Sequence, residues 1–336
     1  METMTTVNSL TLANDTLVSS HKIETTTETG NNTANKKSAT PTDTITLSAE
    51  ATAALANPSS ASKTDPQVSY YAQFFPTRDG GGTVFAENVI NPAATTISTG
   101  LNATQIAHAA RANMDAEYST MTASGKPYDY SSKDGIDDYT LMSGLDRTAL
   151  AAVASNQDGL FTKNEQNSAQ AIMLQQEHLA IGNYAGPTDL ESKFIAKPVS
   201  GQDYADDFSQ TTVSHLSNIT NEAVSWEKNL SLYLDKTSTY EKSTVEWAFN
   251  RASVQTAYET AMDAANQPDD PKYISNLSIV GMLSELMKNG QKHHLVNHPS
   301  VRSLSDLLSE EWAKGHETGI KNALMKTRTA LGYAQS

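Results

Sequence analysis

The chain has 336 residues, no cysteine and a formal net charge of -14, with 38 Asp and Glu against 24 Lys and Arg. This acidity argues against nucleic acid or an anionic membrane surface as the main partner, because like charges repel. The absence of cysteine excludes disulfides, thiolate catalysis and sulfur-ligated metal sites.

Residues 1–66 are rich in Thr, Ser, Asn and Ala and poor in large apolar side chains. Such a segment buries too little apolar surface to offset the entropy lost on ordering, so we predict a disordered tail. It lacks the basic start and continuous apolar run of a secretory signal peptide, and no stretch of the chain is predicted to span a membrane. In composition the tail resembles the start of bacterial proteins exported by flagellar and related needle-type systems. The sequence is compatible with a cytoplasmic location or with export by such a route.

Within the tail, one short helix is predicted at residues 48–57. Ser48 is a good N-cap, and Pro58 disfavours helical geometry at Asn57. A helix of this length is not stable alone in water. We interpret it as a transient helix of a linker, with a short linear motif for a binding partner as the alternative.

The ordered part is predicted to begin with an aromatic cluster formed by Tyr70, Tyr71, Phe74 and Phe75. A second apolar run follows the three glycines at 80–82. This pattern predicts two short strands or extended segments joined by a turn within residues 67–100. We interpret the aromatic cluster as the first layer of a hydrophobic core, with a surface that binds a partner or a sugar as the alternative.

From residue 103 onward, apolar residues recur at steps of three and four, which is the period of an amphipathic helix. The steps predict a helix over residues 103–122 and further helices on both sides of residues 154–165. Between them lies an acidic loop. Its adjacent residues Asp137 and Asp138 are interpreted as solvated or capping side chains, because neighbouring side chains point to different sides.

The carboxyl-terminal part is predicted to be a helical bundle. Its helices are expected at about 205–234, 240–266 and 274–289, with a last helix that opens with a capping box at Ser303 and Asp306. Amphipathic helices of this length also pack between chains, so self-association or a protein partner is expected. The predicted fold is therefore mainly α, with a tail at 1–66, a mostly helical module at 67–190 and a bundle at 200–336.

Residues 154–165 have the spacing of a twelve-residue calcium loop. Such a loop needs oxygen ligands at positions one, three, five, seven and nine, a glycine at six for the sharp turn and a bidentate glutamate at twelve. With Gly159 at position six, the predicted metal ligands are Asn156, Asp158, the Leu160 carbonyl oxygen, Thr162 and Glu165.

Residues 145–182 therefore resemble an EF-hand, a helix, loop and helix that binds Ca²⁺, and Phe161 fits the apolar residue that the family has at position eight. The match departs at position one. Ala154 stands there and has no side-chain oxygen, so the loop lacks one ligand and one negative charge. The resemblance thus implies either weak binding of Ca²⁺ or a degenerate module without metal.

The same residues also fit a turn that needs no metal. Asp158 and Gly159 are ordinary turn residues, and Thr162 with Glu165 has the spacing of a capping box that opens the next helix. An EF-hand-like helical hairpin free of metal therefore accounts for the segment as well as a calcium loop does.

His293, His294 and His298 are the other candidates for a metal site, of zinc or nickel. On a helix, His294 and His298 would share one face, but Gly290 and Pro299 indicate a loop, and no glutamate stands between them as in zinc proteases.

The sequence favours a non-catalytic bacterial interaction or assembly protein with a degenerate EF-hand-like module, because it contains no recognisable catalytic constellation. A calcium-responsive regulatory protein that binds Ca²⁺ weakly at 154–165 is the second hypothesis. An enzyme whose site is hidden from sequence reasoning, using one of the three clustered histidines, is the third. Ca²⁺ is the single cofactor that the sequence suggests, and a protein partner is expected rather than nucleic acid.

Overall fold

The computed structural model describes residues 65–132, 134–196, 222–290 and 301–333. These ranges contain thirteen α-helices and no β-strand, which confirms the predicted mainly α fold. The predicted disordered tail, its short helix at 48–57 and the first half of the predicted helix at 205–234 lie outside the described residues.

The helices before residue 197 are α1 (Pro66–Ala72), α2 (Thr83–Ile90), α3 (Ala103–Ala123), α4 (Ile136–Leu141), α5 (Arg147–Ala154), α6 (Lys163–Ala180) and α7 (Thr188–Ala196). Those after residue 221 are α8 (Glu222–Asp235), α9 (Thr239–Lys242), α10 (Val245–Ala264), α11 (Ser278–Asn289), α12 (Leu304–Ser309) and α13 (Glu317–Ala330). Two short 3₁₀ helices, Gln157–Gly159 and Glu311–Ala313, lie between α5 and α6 and between α12 and α13. None of the described helices is both long and apolar enough to cross a membrane.

The prediction of two short strands or extended segments within residues 67–100 is wrong, because the chain forms α1 and α2 there. Helix α1 begins at Pro66. Proline is tolerated there because the N–H groups of the first turn have no acceptor within the helix, so no hydrogen bond is lost. Asp65 caps this helix by accepting the N–H of Gln67 at 2.9 Å. Aromatic and β-branched residues favour strands only through their packing, and here they pack between helices: α1 lies against α2, and α2 lies against α6.

The aromatic cluster is core, as interpreted from the sequence. All four rings are buried, and Phe74 and Phe75 have 0% of their surface exposed. Phe75 meets Tyr139 of α4 edge to face, with ring centroids 5.6 Å apart and an interplanar angle of 85°. This geometry is favoured by the quadrupoles of the two rings, and it joins α1 to the rest of the fold.

Two of the predicted bundle helices are divided. The helix expected at 240–266 is interrupted after Lys242, and α10 begins after Thr244, which caps it by accepting the N–H of Trp247 at 3.2 Å. The last helix opens with the predicted capping box but stops at Ser309 and resumes at Glu317 as α13. Capping by polar side chains ends and restarts helices at points that apolar periodicity does not reveal.

Two large apolar clusters form the core. The first contains side chains from α1 to α7 and also Tyr233 of α8 and Tyr240 of α9. The second contains side chains from α8 and α10 to α13 and also Ile181, the residue that directly follows α6. Each cluster therefore includes residues from the opposite part of the chain. The α5–α6 hairpin is packed directly against the bundle.

Candidate functional site

Helices α5 and α6 and their connection form a helical hairpin around the segment with the calcium-loop spacing. Helix α5 ends at Ala154, α6 begins at Lys163, and the loop between them contains the twelve-residue pattern. Gly159, which the pattern puts at position six, has a φ of 73°. A left-handed conformation at this position is what a glycine makes available at no steric cost.

The predicted ligands at positions three, five and seven lie on this loop. Asn156 uses its Oδ1 to accept the N–H of Phe161 at 2.9 Å, which closes the loop from within. Asp158 is exposed, and its Oδ1 accepts the side-chain amide of Gln157 at 2.8 Å. Leu160 is half-buried against the first apolar cluster. The two polar side chains thus have partners inside the loop.

Glu165, the predicted bidentate ligand, is buried and bound on both oxygens. Its Oε1 accepts the Nη1–H of Arg111 at 2.8 Å and the hydroxyl of Tyr118 at 3.1 Å. Its Oε2 accepts the backbone N–H of Thr162 at 2.7 Å and the Thr162 hydroxyl at 2.9 Å. Thr162 Oγ1 in turn accepts the N–H of Glu165 at 3.3 Å, so the predicted capping box is present.

Arg111 of α3 is the residue at this site that sequence reasoning missed. Its guanidinium lies 5.8 Å from the ring centroids of both Tyr118 and Phe161, and it forms a second ion pair with Asp115 at 2.8 Å. Arg111 stands 54 positions before Glu165, so no local spacing links the two. The two rings hold the cation in place over the loop.

The environment of Glu165 favours its ionised form. Burial alone would favour the neutral acid, but the hydrogen bonds from Arg111 and Thr162 outweigh it and lower the pKa of Glu165. A cation that bound both carboxylate oxygens would have to displace Arg111 and open the capping box. The carboxylate therefore carries its negative charge, but both of its oxygens already accept hydrogen bonds from protein groups.

Position one of the loop pattern faces the protein interior. Ala154 has 0% of its surface exposed and belongs to the first apolar cluster. Nowhere in the described parts of the chain do three His, Asp or Glu side chains come together in a way that could hold a metal ion. His293, His294 and His298 lie outside the described residues, so their arrangement stays a prediction.

Asp137 is buried rather than solvated, so that part of the interpretation is wrong, whereas Asp138 is half-buried. The two side chains point to different partners, as expected. Asp137 forms an ion pair with Arg78 at 2.6 Å. Asp138 Oδ1 accepts the hydroxyls of Tyr128 at 2.6 Å and Ser168 at 2.8 Å. Burial raises the pKa of Asp138 above its usual value. These contacts fix α4 against α6 through Ser168, and against the segments that follow α1 and α3 through Arg78 and Tyr128.

A second buried polar cluster, also missed from sequence, centres on Arg147, whose exposed fraction is 0%. Its Nη2 donates to Glu177 of α6 at 2.6 Å and to Glu241 of α9 at 2.8 Å, and its Nε donates to Glu241 at 3.0 Å. Nη1 donates to the Met173 carbonyl at 3.0 Å, and the guanidinium lies 5.0 Å from the Tyr233 ring centroid. One side chain therefore joins α5, α6, α8 and α9.

The sequence signal for this cluster is weak but present. Arg147 begins a helix of eight residues, Arg147–Ala154, all of which are buried. An arginine in a helix of Ala, Leu, Val and Thr has no exposed face to occupy, so it must find acceptors inside the protein. The sequence gives no indication of which acceptors these are, because Glu241 lies 94 positions away.

Comparisons with protein-family models, with characterised proteins and with solved structures find no match for this chain.

Proposed function

We propose that this protein is a non-catalytic interaction or assembly protein whose EF-hand-like hairpin is a structural element that works without metal. The pairing of Glu165 with Arg111 at 2.8 Å supports the metal-free hairpin. In a calcium loop the glutamate at position twelve supplies both oxygens to the ion. Here Oε1 holds α3 against the start of α6 and Oε2 closes the capping box with Thr162, and both tasks are structural.

The non-catalytic part of the proposal is supported by where the ionisable groups lie. Nothing in the described ranges or in the comparisons points to catalytic activity. A catalytic group must reach a substrate within hydrogen-bonding distance. Arg147, Glu177 and Glu241 are instead buried and paired with one another.

The interaction role is supported by architecture and composition. Amphipathic helices such as those of the bundle commonly associate with other helices, and polar segments such as residues 1–66 commonly bind protein partners. We expect the full chain to elute from size-exclusion columns, at tens of micromolar, with a light-scattering mass above the 36.2 kDa of one chain or in complex with a partner. A monomer at every concentration, with no partner recovered from cell extract, would count against the proposal.

A calcium-responsive regulatory protein is the second candidate, favoured by the left-handed Gly159 at position six of a loop flanked by two helices. Calorimetric titration with Ca²⁺ separates the two functions. For the metal-free hairpin we expect no saturable heat at millimolar Ca²⁺ in the native protein, since Arg111 occupies Glu165. Saturable heat that disappears in Glu165→Gln would establish calcium binding at this loop and overturn the metal-free hairpin.

The variant Arg111→Gln sharpens the same titration. It removes the competing cation and leaves every predicted loop ligand in place. If Arg111 is what blocks the loop, this variant gains calcium heat that the native protein lacks. If neither protein responds, the loop lacks the ligand set itself, as the missing oxygen at Ala154 implies.

A further inference from the structure

Glu246, in the first turn of α10, has 7% of its surface exposed, and its charge interacts with those of Glu177 and Glu241 in the Arg147 cluster. Its Oε1 accepts the side-chain N–H of Gln170 from α6 at 2.5 Å. An amide is a neutral donor, so this bond satisfies one oxygen but does not compensate the charge of a carboxylate. The contact joins the hairpin to the bundle.

The buried charges around Glu246 do not balance. Glu177, Glu241 and Glu246 are all buried. Among the residues that the structure describes, the one fully buried cation near them is Arg147, which donates to the first two and not to Glu246. Lys242, half-buried at the end of α9, offsets the charge of Glu241 only in part. Three buried carboxylates against one buried guanidinium therefore leave excess negative charge in a medium that solvates it poorly. Removal of one charge by protonation relieves this imbalance.

Other groups that face the cluster act in the opposite direction but are weaker. Arg302, before α12, binds Asn167 at 2.7 Å and Asp306 through its backbone N–H, and its charge partly offsets the burial of Glu246. The amino-terminal end of α10 also favours a carboxylate. From α8, Tyr233 contributes a ring and a hydroxyl to Arg147. A carboxyl group as buried as that of Glu246 responds more strongly to desolvation than to the end of a helix.

Burial accordingly dominates. It raises the pKa of Glu246 to about 7 and raises the pKa of Glu241 above its ordinary value, even though Arg147 opposes the latter shift. Gln170 remains a partner in either state, because a protonated carboxyl group still accepts through its carbonyl oxygen.

We propose that the glutamate cluster, defined as Glu177, Glu241 and Glu246, takes up one proton from solvent at Glu246 near neutral pH, and that this proton strengthens the contact between hairpin and bundle. In the unfolded chain a glutamate titrates near about 4.3, so between that value and neutrality the folded state binds the extra proton. The stabilisation is complete below the unfolded pKa and is lost as the pH rises through the folded value, about 7.

The test compares the full-length native chain with Glu246→Gln, which mimics the protonated acid, and with Glu87→Gln, an exposed glutamate of α2, as the matched control. Infrared difference spectra across pH 5 to 9 are expected to show the C=O band of a protonated carboxyl group that fades above neutrality. We expect this pH-dependent C=O band to be lost in Glu246→Gln and kept in Glu87→Gln. Between pH 5.5 and 7.5 the Tm should fall by about 5 °C more in the native protein than in Glu246→Gln.

Glu227 also has a pKa raised by burial to about 7, so the difference between native and variant, rather than the native band alone, assigns the proton. If Glu246→Gln does not fold, Glu246→Met takes its place, because an apolar side chain of similar length is tolerated where an unpaired charge is not. The absence of any titrating carboxyl band in the native protein would overturn the proposal. A band and a Tm profile that are unchanged in the Glu246 variant would do so as well.

Discussion

Replacing Arg147 with methionine is expected to lower the free energy of unfolding by about 3–5 kcal/mol, because it leaves Glu177 and Glu241 buried without a cation. This is a large part of the stability of an ordinary domain, which is about 5–15 kcal/mol. Methionine retains most of the volume, so the loss reports on charge rather than on a cavity. Urea unfolding followed by circular dichroism measures it.

Two further variants test whether the loss of stability in Arg147→Met comes from the buried charges. Lys314→Met removes a cation from an exposed pair with Glu311 and should change stability by less than about 1 kcal/mol. Adding Glu177→Gln and Glu241→Gln to Arg147→Met should recover part of the loss, because the stranded charges are then neutral. If Arg147→Met proves no more harmful than the control, the cluster contributes little to holding hairpin and bundle together.

Introducing aspartate at Ala154 is expected to destabilise the protein by about 3 kcal/mol, although it supplies the ligand that a calcium loop needs at position one. The side chain at this position is fully buried among apolar residues, so the new carboxylate would lie in the core. Thermal unfolding with and without millimolar Ca²⁺ measures the loss and any recovery. For a hairpin that works without metal, Ca²⁺ restores nothing.

Asn164→Asp is the matched control for that substitution. It adds one carboxylate to the same segment, at an exposed position in the first turn of α6, where the end of the helix favours negative charge. Its effect on the free energy of unfolding should lie within about 0.5 kcal/mol. Recovery of Ala154→Asp to native stability by Ca²⁺, with no such response in Asn164→Asp, would show that the loop chelates the ion.

Features that depend on residues close together in sequence could be predicted, and features that depend on distant residues could not. The helix over residues 103–122 and the capping boxes that begin at Thr162 and Ser303 depend on residues three or four positions apart, and all are present. The local pattern at residues 67–100 predicts strands or extended segments where the chain forms two helices, because the aromatic residues at 70–75 pack against partners that the local sequence does not show.

The candidate site divides in the same way. The turn at Gly159 and the start of α6 are local features that the pattern predicted. The residues that determine what the loop can bind are distant: Arg111 lies 54 positions before Glu165, and the Arg147 cluster spans 94 positions. A single sequence carries no signal for such pairs, since the compensating charge is recognisable only after the helices have packed.

The position of Arg147 has a consequence for how this chain could be divided or rearranged. Two of its partners, Tyr233 and Glu241, come from the carboxyl-terminal part, and Tyr240 from the same part completes the first apolar cluster. If the hairpin were transplanted alone into another protein, Arg147 would be buried without Glu241, its main acceptor. Gene fusion or domain shuffling would therefore have to move both parts together, because the hairpin keeps the acceptors of its buried arginine only when the bundle is present.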